Sequence, residues 1–93
     1  MAYAGICFEA QLTDEQAREL ARLMEAGKAT RPGGVVQASL EYADGKARLV
    51  AIWRDAPTLD AYLAEADVPR GLELMRKVGA EPAIRRFDVL ELG

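Results

Sequence analysis

The sequence predicts an α+β domain of ferredoxin-like type, an antiparallel sheet built in the order β-α-β-β-α-β. Three observations carry this. Residues Tyr3 to Ala10 alternate at period two. A capped helical pattern follows at once. Asp44-Gly45 then sits between two alternating runs, the strongest short-range hairpin signal. With right-handed crossovers, this order lays both helices on one sheet face and leaves the other bare.

In the first strand, Ala4, Ile6, Phe8 and Ala10 share one face, and Tyr3, Gly5, Cys7 and Glu9 share the other. Thr13 and Gln16 stand at capping-box spacing, with Asp14 and Glu15 in the positive first turn. Ala17, Leu20, Ala21 and Met24 recur at helical spacing until Gly27, which predicts a helix over 14–26. Arg31-Pro32-Gly33-Gly34 reads as a loop. Its glycines invite a phosphate-cradle reading, but no Lys-Ser/Thr pair follows and no helix starts there.

The hairpin strands are predicted at 35–43 and 46–54. The Asp-Gly turn sets Glu41 opposite Arg48, Leu40 opposite Leu49, Ala38 opposite Ala51 and Val36 opposite Trp53. One face is then almost wholly apolar and wants helices laid on it. The other mixes Val35, Val50 and Ile52 with Gln37, Ser39, Glu41 and Arg48, and suits a second subunit. Asp55 or Ala56 caps the next helix, with Pro57 in its first turn. Its stripe is Leu59, Tyr62, Leu63 and Ala66. Asp67-Val68-Pro69 breaks and restarts it, and Leu72, Met75 and Val78 continue the apolar stripe to Gly79. A last strand is predicted over 84–92, with Phe87 and Val89 on one face and Arg86, Asp88 and Leu90 on the other.

Composition narrows the chemistry. The 93 residues suffice for one domain, spanning 1–93. Such a small domain buries only roughly 60–65% of the surface its unfolded chain exposes, which makes an oligomer a reasonable expectation. The chain has neither His nor Asn, so it cannot build a His-based triad or a His-ligated metal or haem site of its own. Its net charge of −3 argues against nucleic acid. No apolar run approaches the ~18 residues of a membrane span. The N-terminus does not read as a signal peptide. A lone cysteine, Cys7, favours the cytoplasm and reads as a small buried hydrophobe.

The run Trp53-Arg54-Asp55-Ala56-Pro57-Thr58-Leu59-Asp60-Ala61-Tyr62-Leu63 resembles the strand-to-helix junction of the antibiotic biosynthesis monooxygenase-like proteins. Element order and length match over nearly the whole chain. The resemblance implies a dimeric α+β barrel, a homodimer formed through the sheet face, with a pocket in each subunit between sheet and helices. It makes Trp53 a pocket residue. The chain departs from the family where relatives keep their chemistry. The first-strand Asn of haem-degrading members falls at or near Phe8, and their axial His at or near Glu73. The His that many quinol-oxidising members carry nine residues after the Trp is here Tyr62.

The candidate catalytic residues are therefore Trp53 and Tyr62, which would position an aromatic ring. A phenol can also hydrogen-bond or protonate a ring oxygen. Phe8, Ala38, Leu40, Ala51 and Phe87 from the sheet, with Met24, Leu72 and Met75 from the helices, are the candidate substrate contacts. Each has a plainer reading as core, and a buried Trp53 would direct its indole N–H to a carbonyl or water. Ala38 opposite Ala51 either opens a cavity for a flat ligand or lets a helix pack closer. Two functions follow as expectations. One is a monooxygenase-like protein acting on an aromatic or quinol-type molecule without metal, haem or other cofactor. The other is a non-catalytic protein of the same fold that binds a small aromatic ligand.

Overall fold

The computed structural model describes residues 2–93. Strand β1 (Tyr3–Gln11) leads into helix α1 (Asp14–Ala26) and a short 3₁₀ turn (Lys28–Thr30). The hairpin β2 (Val35–Ala43) and β3 (Lys46–Trp53) follows. Helices α2 (Ala56–Glu65) and α3 (Arg70–Lys77) precede β4 (Ala83–Val89). The four strands are antiparallel in the order β2-β3-β1-β4. This is the ferredoxin-like α+β fold, with the second helical segment broken in two.

Local chemistry explains the element ends. The Thr13 hydroxyl accepts a hydrogen bond from Gln16 N at 3.1 Å, and Thr13 N donates to Gln16 Oε1 at 2.8 Å, closing the capping box. Gln16 Nε2 also donates to Val78 O at 2.9 Å, tying the start of α1 to the end of α3. Asp55 caps α2 by accepting from Thr58 N at 2.8 Å. Asp44 and Gly45 both take positive φ in the hairpin turn, at 53° and 78°.

The helices cover one sheet face. Ala4, Ile6, Phe8, Leu49 and Trp53 join Leu20, Leu59 and Met75 there in one buried cluster. Leu12 and Ala17 close its lower end. In α1, Ala21 is exposed and Leu23 packs on the core instead, which rotates the expected stripe slightly. In α3 the inward residues are Gly71, Leu74 and Met75. Gly71 is needed there, because a Cβ would meet the Phe8 ring at 2.3 Å.

Three expectations need correction. Register holds from the turn to Gln37–Ile52, but a bulge then leaves Val35, not Val36, opposite Trp53. Val36 is 49% exposed, because the inserted residue turns it out of the ladder. Strand β4 ends at Val89, and Leu90 to Leu92 lie beyond it. Its faces are also reversed. Phe87 pairs with Gly5 and its ring lies over that residue, so it sits on the open face with Cys7 and Ile52. Arg86 and Asp88, opposite Ile6 and Ala4, lie on the helix side. There Arg86 Nη1 bonds Asp60 Oδ1 of α2 at 2.6 Å.

Candidate functional site

A cavity of about 70 Å³ lies between the covered sheet face and the helices. Ile6 and Phe8 of β1, Ala38 of β2, and Leu49, Ala51 and Trp53 of β3 form its floor. Met24, Leu59, Tyr62, Leu63, Gly71 and Leu74 form the helical wall. Ala38 and Ala51 face each other across the β2–β3 pair and both line the space. Their small side chains leave a void in the sheet floor that no neighbour fills.

Trp53 is the centre of this arrangement. It ends β3, where the chain leaves the sheet for α2, and is only 4% exposed. Its ring centroid lies 4.9 Å from that of Tyr62, tilted by 37°. The loop before β2 lies on the indole's other edge. A Cβ on Gly34 would come within 2.7 Å of Trp53 Cε3, so Gly34 serves close approach to the ring. Gly34 O also accepts a bond from Arg54 N at 3.0 Å. Of the two partners expected for the indole, a carbonyl or a water, no carbonyl is within reach: Trp53 Nε1 is buried and has no hydrogen-bond partner among the described residues. Leaving such a donor unmet costs roughly 1–3 kcal/mol.

Tyr62 occupies the second turn of α2. Its hydroxyl accepts a bond from Arg70 N at 2.8 Å, which joins α2 to the first turn of α3 and leaves the phenolic hydrogen free to donate. Arg70 continues the link outward. Its guanidinium donates to the carbonyls of Gly27 and Thr30, and to Thr30 Oγ1 at 3.2 Å. Lys28, Arg31, Pro32, Val35, Pro69 and Arg70 rim the opening. Asp55, whose cap fixes the start of α2, is held below the ordinary carboxylate range by the Thr58 hydroxyl and the Thr58 backbone N–H.

Of the residues predicted to form the site, the structure brings together Phe8, Met24, Ala38, Ala51, Trp53 and Tyr62. It does not place Leu40, Leu72 or Met75 on the cavity wall. Met75 is fully buried in the core, and Leu40 and Leu72 pack against the same cluster. Phe87 is on the opposite face altogether. Sequence reasoning missed the mouth, Arg31 and Arg70 above all, because a loop Arg and a helix-start Arg look like surface. Gly71 and Leu74 had a usable signal: a Gly three residues before a Leu on a short helix marks a face pressed close to something.

A second depression, of about 320 Å³, lies outside α1 and α3 against Gly27, Thr30, Glu73 and Lys77. It is larger but polar, wide open and without aromatic walls, so the smaller cavity is the better ligand site. Among the described residues no three Cys, Asp or Glu side chains converge as a metal site. No helix there is long and apolar enough to cross a membrane.

No protein-family model and no curated protein matches the sequence. Solved structures match over almost the full chain. A protein of unknown function from Nitrosomonas europaea superposes with a TM-score of 0.68 at 13% identity, covering 100% of this chain and 94% of that one. A protein provisionally described as an antibiotic biosynthesis monooxygenase, from Deinococcus radiodurans, gives 0.63 at 12% identity, with 97% and 95% covered. The cofactor-independent oxygenase SnoaB from Streptomyces nogalater gives 0.59 at 17% identity, with 98% and 94% covered. At these identities the likeness is one of fold: the chain has the fold of antibiotic biosynthesis monooxygenase-like structures.

Proposed function

We propose that this protein binds a small planar aromatic or quinol-type molecule in the covered-face cavity and oxygenates it without metal or haem. The observation that carries the reading is a largely apolar cavity lined by Trp53 and Tyr62, with Trp53 Nε1 buried and unpartnered among the described residues. A ring would lie against Trp53 and Phe8, and a ring oxygen would accept from the indole N–H. Tyr62 supplies the second donor. The reaction class is the ring CH₂ of the substrate's keto tautomer plus O₂ giving a ring C=O plus H₂O. The substrate's own carbanion reduces oxygen, a hydroperoxide forms at that carbon, and loss of water leaves the carbonyl. The protein's share is to hold the ring, exclude bulk water and donate hydrogen bonds to developing oxyanions.

An oxygen-uptake assay over a panel of quinols tests this. Trp53→Phe removes the N–H but keeps a ring, and is expected to weaken binding by about three- to tenfold. Tyr62→Phe is expected to lower turnover more than affinity. No uptake with any quinol would remove the catalytic half. A second reading, non-catalytic binding of the same ligand class, is favoured by one feature: no carboxylate lines the cavity to serve as a base. Ligand-induced thermal stabilisation without oxygen uptake would decide for it.

The same reading includes a homodimer through the open sheet face. Tyr3, Val50, Phe87 and Val89 give it a half-buried apolar strip, and Arg48 bridges Glu9 and Glu41 at 3.3 Å each beside it. Light scattering should show a dimer at micromolar concentration, and Val50→Asp should dissociate it. Ile52→Asp is a poorer test, since Ile52 is already 6% exposed within one chain. Cytoplasmic placement also belongs to this reading, on the strength of the buried free thiol of Cys7.

A further inference from the structure

The cavity wall has a charge bias opposite to that of the chain. The protein carries a net charge of −3, yet the residues around the cavity include three cations, Lys28, Arg31 and Arg70, and no carboxylate. The three differ in how their charge is met. Lys28 pairs with Glu25 at 2.9 Å. Arg70 spends its donors on neutral oxygens of Gly27 and Thr30 and has no carboxylate within ion-pair distance among the described residues. Arg31, half-buried at the rim, has neither a side-chain hydrogen bond nor an ion pair among those residues. A guanidinium fork without an acid, beside an apolar cavity, is suited to a carboxylate brought by a ligand.

The volume points the same way. The enclosed space of about 70 Å³ is roughly half of the ~150 Å³ that admits benzene in an apolar protein cavity. A fused aromatic therefore enters edge first and leaves one end at the rim, among the arginines. Trp53, whose buried N–H has no partner among the described residues, lines the same cavity. Apolar walls, an indole with an unpartnered N–H and two guanidinium groups line the one cavity.

We infer that the ligand of this cavity is a planar aromatic carboxylate, one edge of its ring seated against Trp53 and Phe8 and its carboxylate held at the mouth by Arg31 beside Arg70. This rests on the binding reading above and sharpens it by naming an acid group. It does not depend on whether oxygenation occurs.

Calorimetric titration of the whole protein with 2-naphthoate and with the isosteric neutral 2-naphthamide tests it, with thermal shift as a second readout. The naphthoate is expected to bind at least about tenfold more tightly, the scale of one charge-assisted hydrogen bond. Raising the salt concentration should narrow the gap. Arg31→Gln, a substitution on a loop, should abolish most of the preference and leave naphthamide binding unchanged; its melting temperature verifies that it folds. Equal affinity of the two probes would overturn the acid-group inference and leave the cavity reading standing. A preference that survives Arg31→Gln would overturn the assignment to Arg31. No heat and no thermal shift from either probe would overturn both.

Discussion

The two faces of the one sheet handle the same problem differently. On the covered face, small residues at Ala38 and Ala51 leave space that the helices bridge without filling. On the open face, the sheet fills its own gaps. The Phe87 ring lies on Gly5, Arg85 stacks over that ring at 5.3 Å, and Cys7 is 2% exposed with no helix above it. Beyond this patch the Arg48 guanidinium lies between Glu9 and Glu41. Its Nε is 3.3 Å from Glu9 Oε2, close enough for attraction but not aligned as a hydrogen bond. The neighbouring Cys7 thiol, then Glu41 and Glu9, raise the Arg48 pKa above its ordinary value. One face is built with a hole beside small residues and the buried indole of Trp53. On the other, the small residues Gly5 and Cys7 are covered by their neighbours. The cavity on the covered face is what the proposed ligand reading rests on.

The sharpest way to break this contrast is to cut matching apolar groups from each side. Leu59→Ala, fully buried on the covered side, is expected to cost about 2–5 kcal/mol and lower the melting temperature by on the order of 15 °C. Val50→Ala, half-buried on the open side, should cost under about 1 kcal/mol in the isolated chain. Equal losses, measured by thermal and urea unfolding, would mean the faces are not distinct.

Next in size is Gly5→Ala. The new Cβ would fall 2.2 Å from Phe87 Cε2, so the ring must leave its seat. A loss of about 1–3 kcal/mol is expected. In a Phe87→Ala background the same change should be nearly neutral, and a double-mutant cycle reads that coupling directly. If Gly5→Ala is equally harmful in both backgrounds, Phe87 does not cover the open face at this point.

Smaller still is Thr13→Ala, which removes the capping box of α1 far from the cavity. It should cost about 1 kcal/mol and leave ligand affinity unchanged. Asp55 gives the pH arm. Its native pKa lies below the ordinary value, so its contribution is complete above the unfolded pKa, near 4. That contribution falls as pH drops through the lowered native value. Asp55→Asn should therefore show a flatter loss of stability below about pH 4 than the parent chain, by urea unfolding across pH.

Most of the covered face was legible because its signals are local. The Asp44-Gly45 turn dictates register for seven rungs, and the capping box and Pro57 mark helix starts at single positions. The errors cluster where pairing partners are distant. Strand β4 offers Ile84 to one face and Phe87 and Val89 to the other, and carries an Arg on each, so period two alone does not say which side meets the helices. Only the partner Gly5, about eighty residues away, resolves it. The bulge at Val36 hides because Val35 and Val36 are interchangeable to any pattern. The mouth was invisible for a related reason: nothing local to Arg31 or Arg70 reports that the loop and the start of α3 meet over Trp53.

The indole N–H of Trp53 gives the most direct test of the account. The chain has one Trp, so this hydrogen yields a single isolated cross-peak in a ¹⁵N–¹H correlation spectrum. Titration with 2-naphthol is predicted to move that peak downfield and saturably, together with the amides of Ala38 and Ala51, while those of Cys7 and Phe87 stay in place. An indole peak that does not move while the ligand binds, or shifts centred on Cys7 and Phe87, would contradict a ligand site on the covered face.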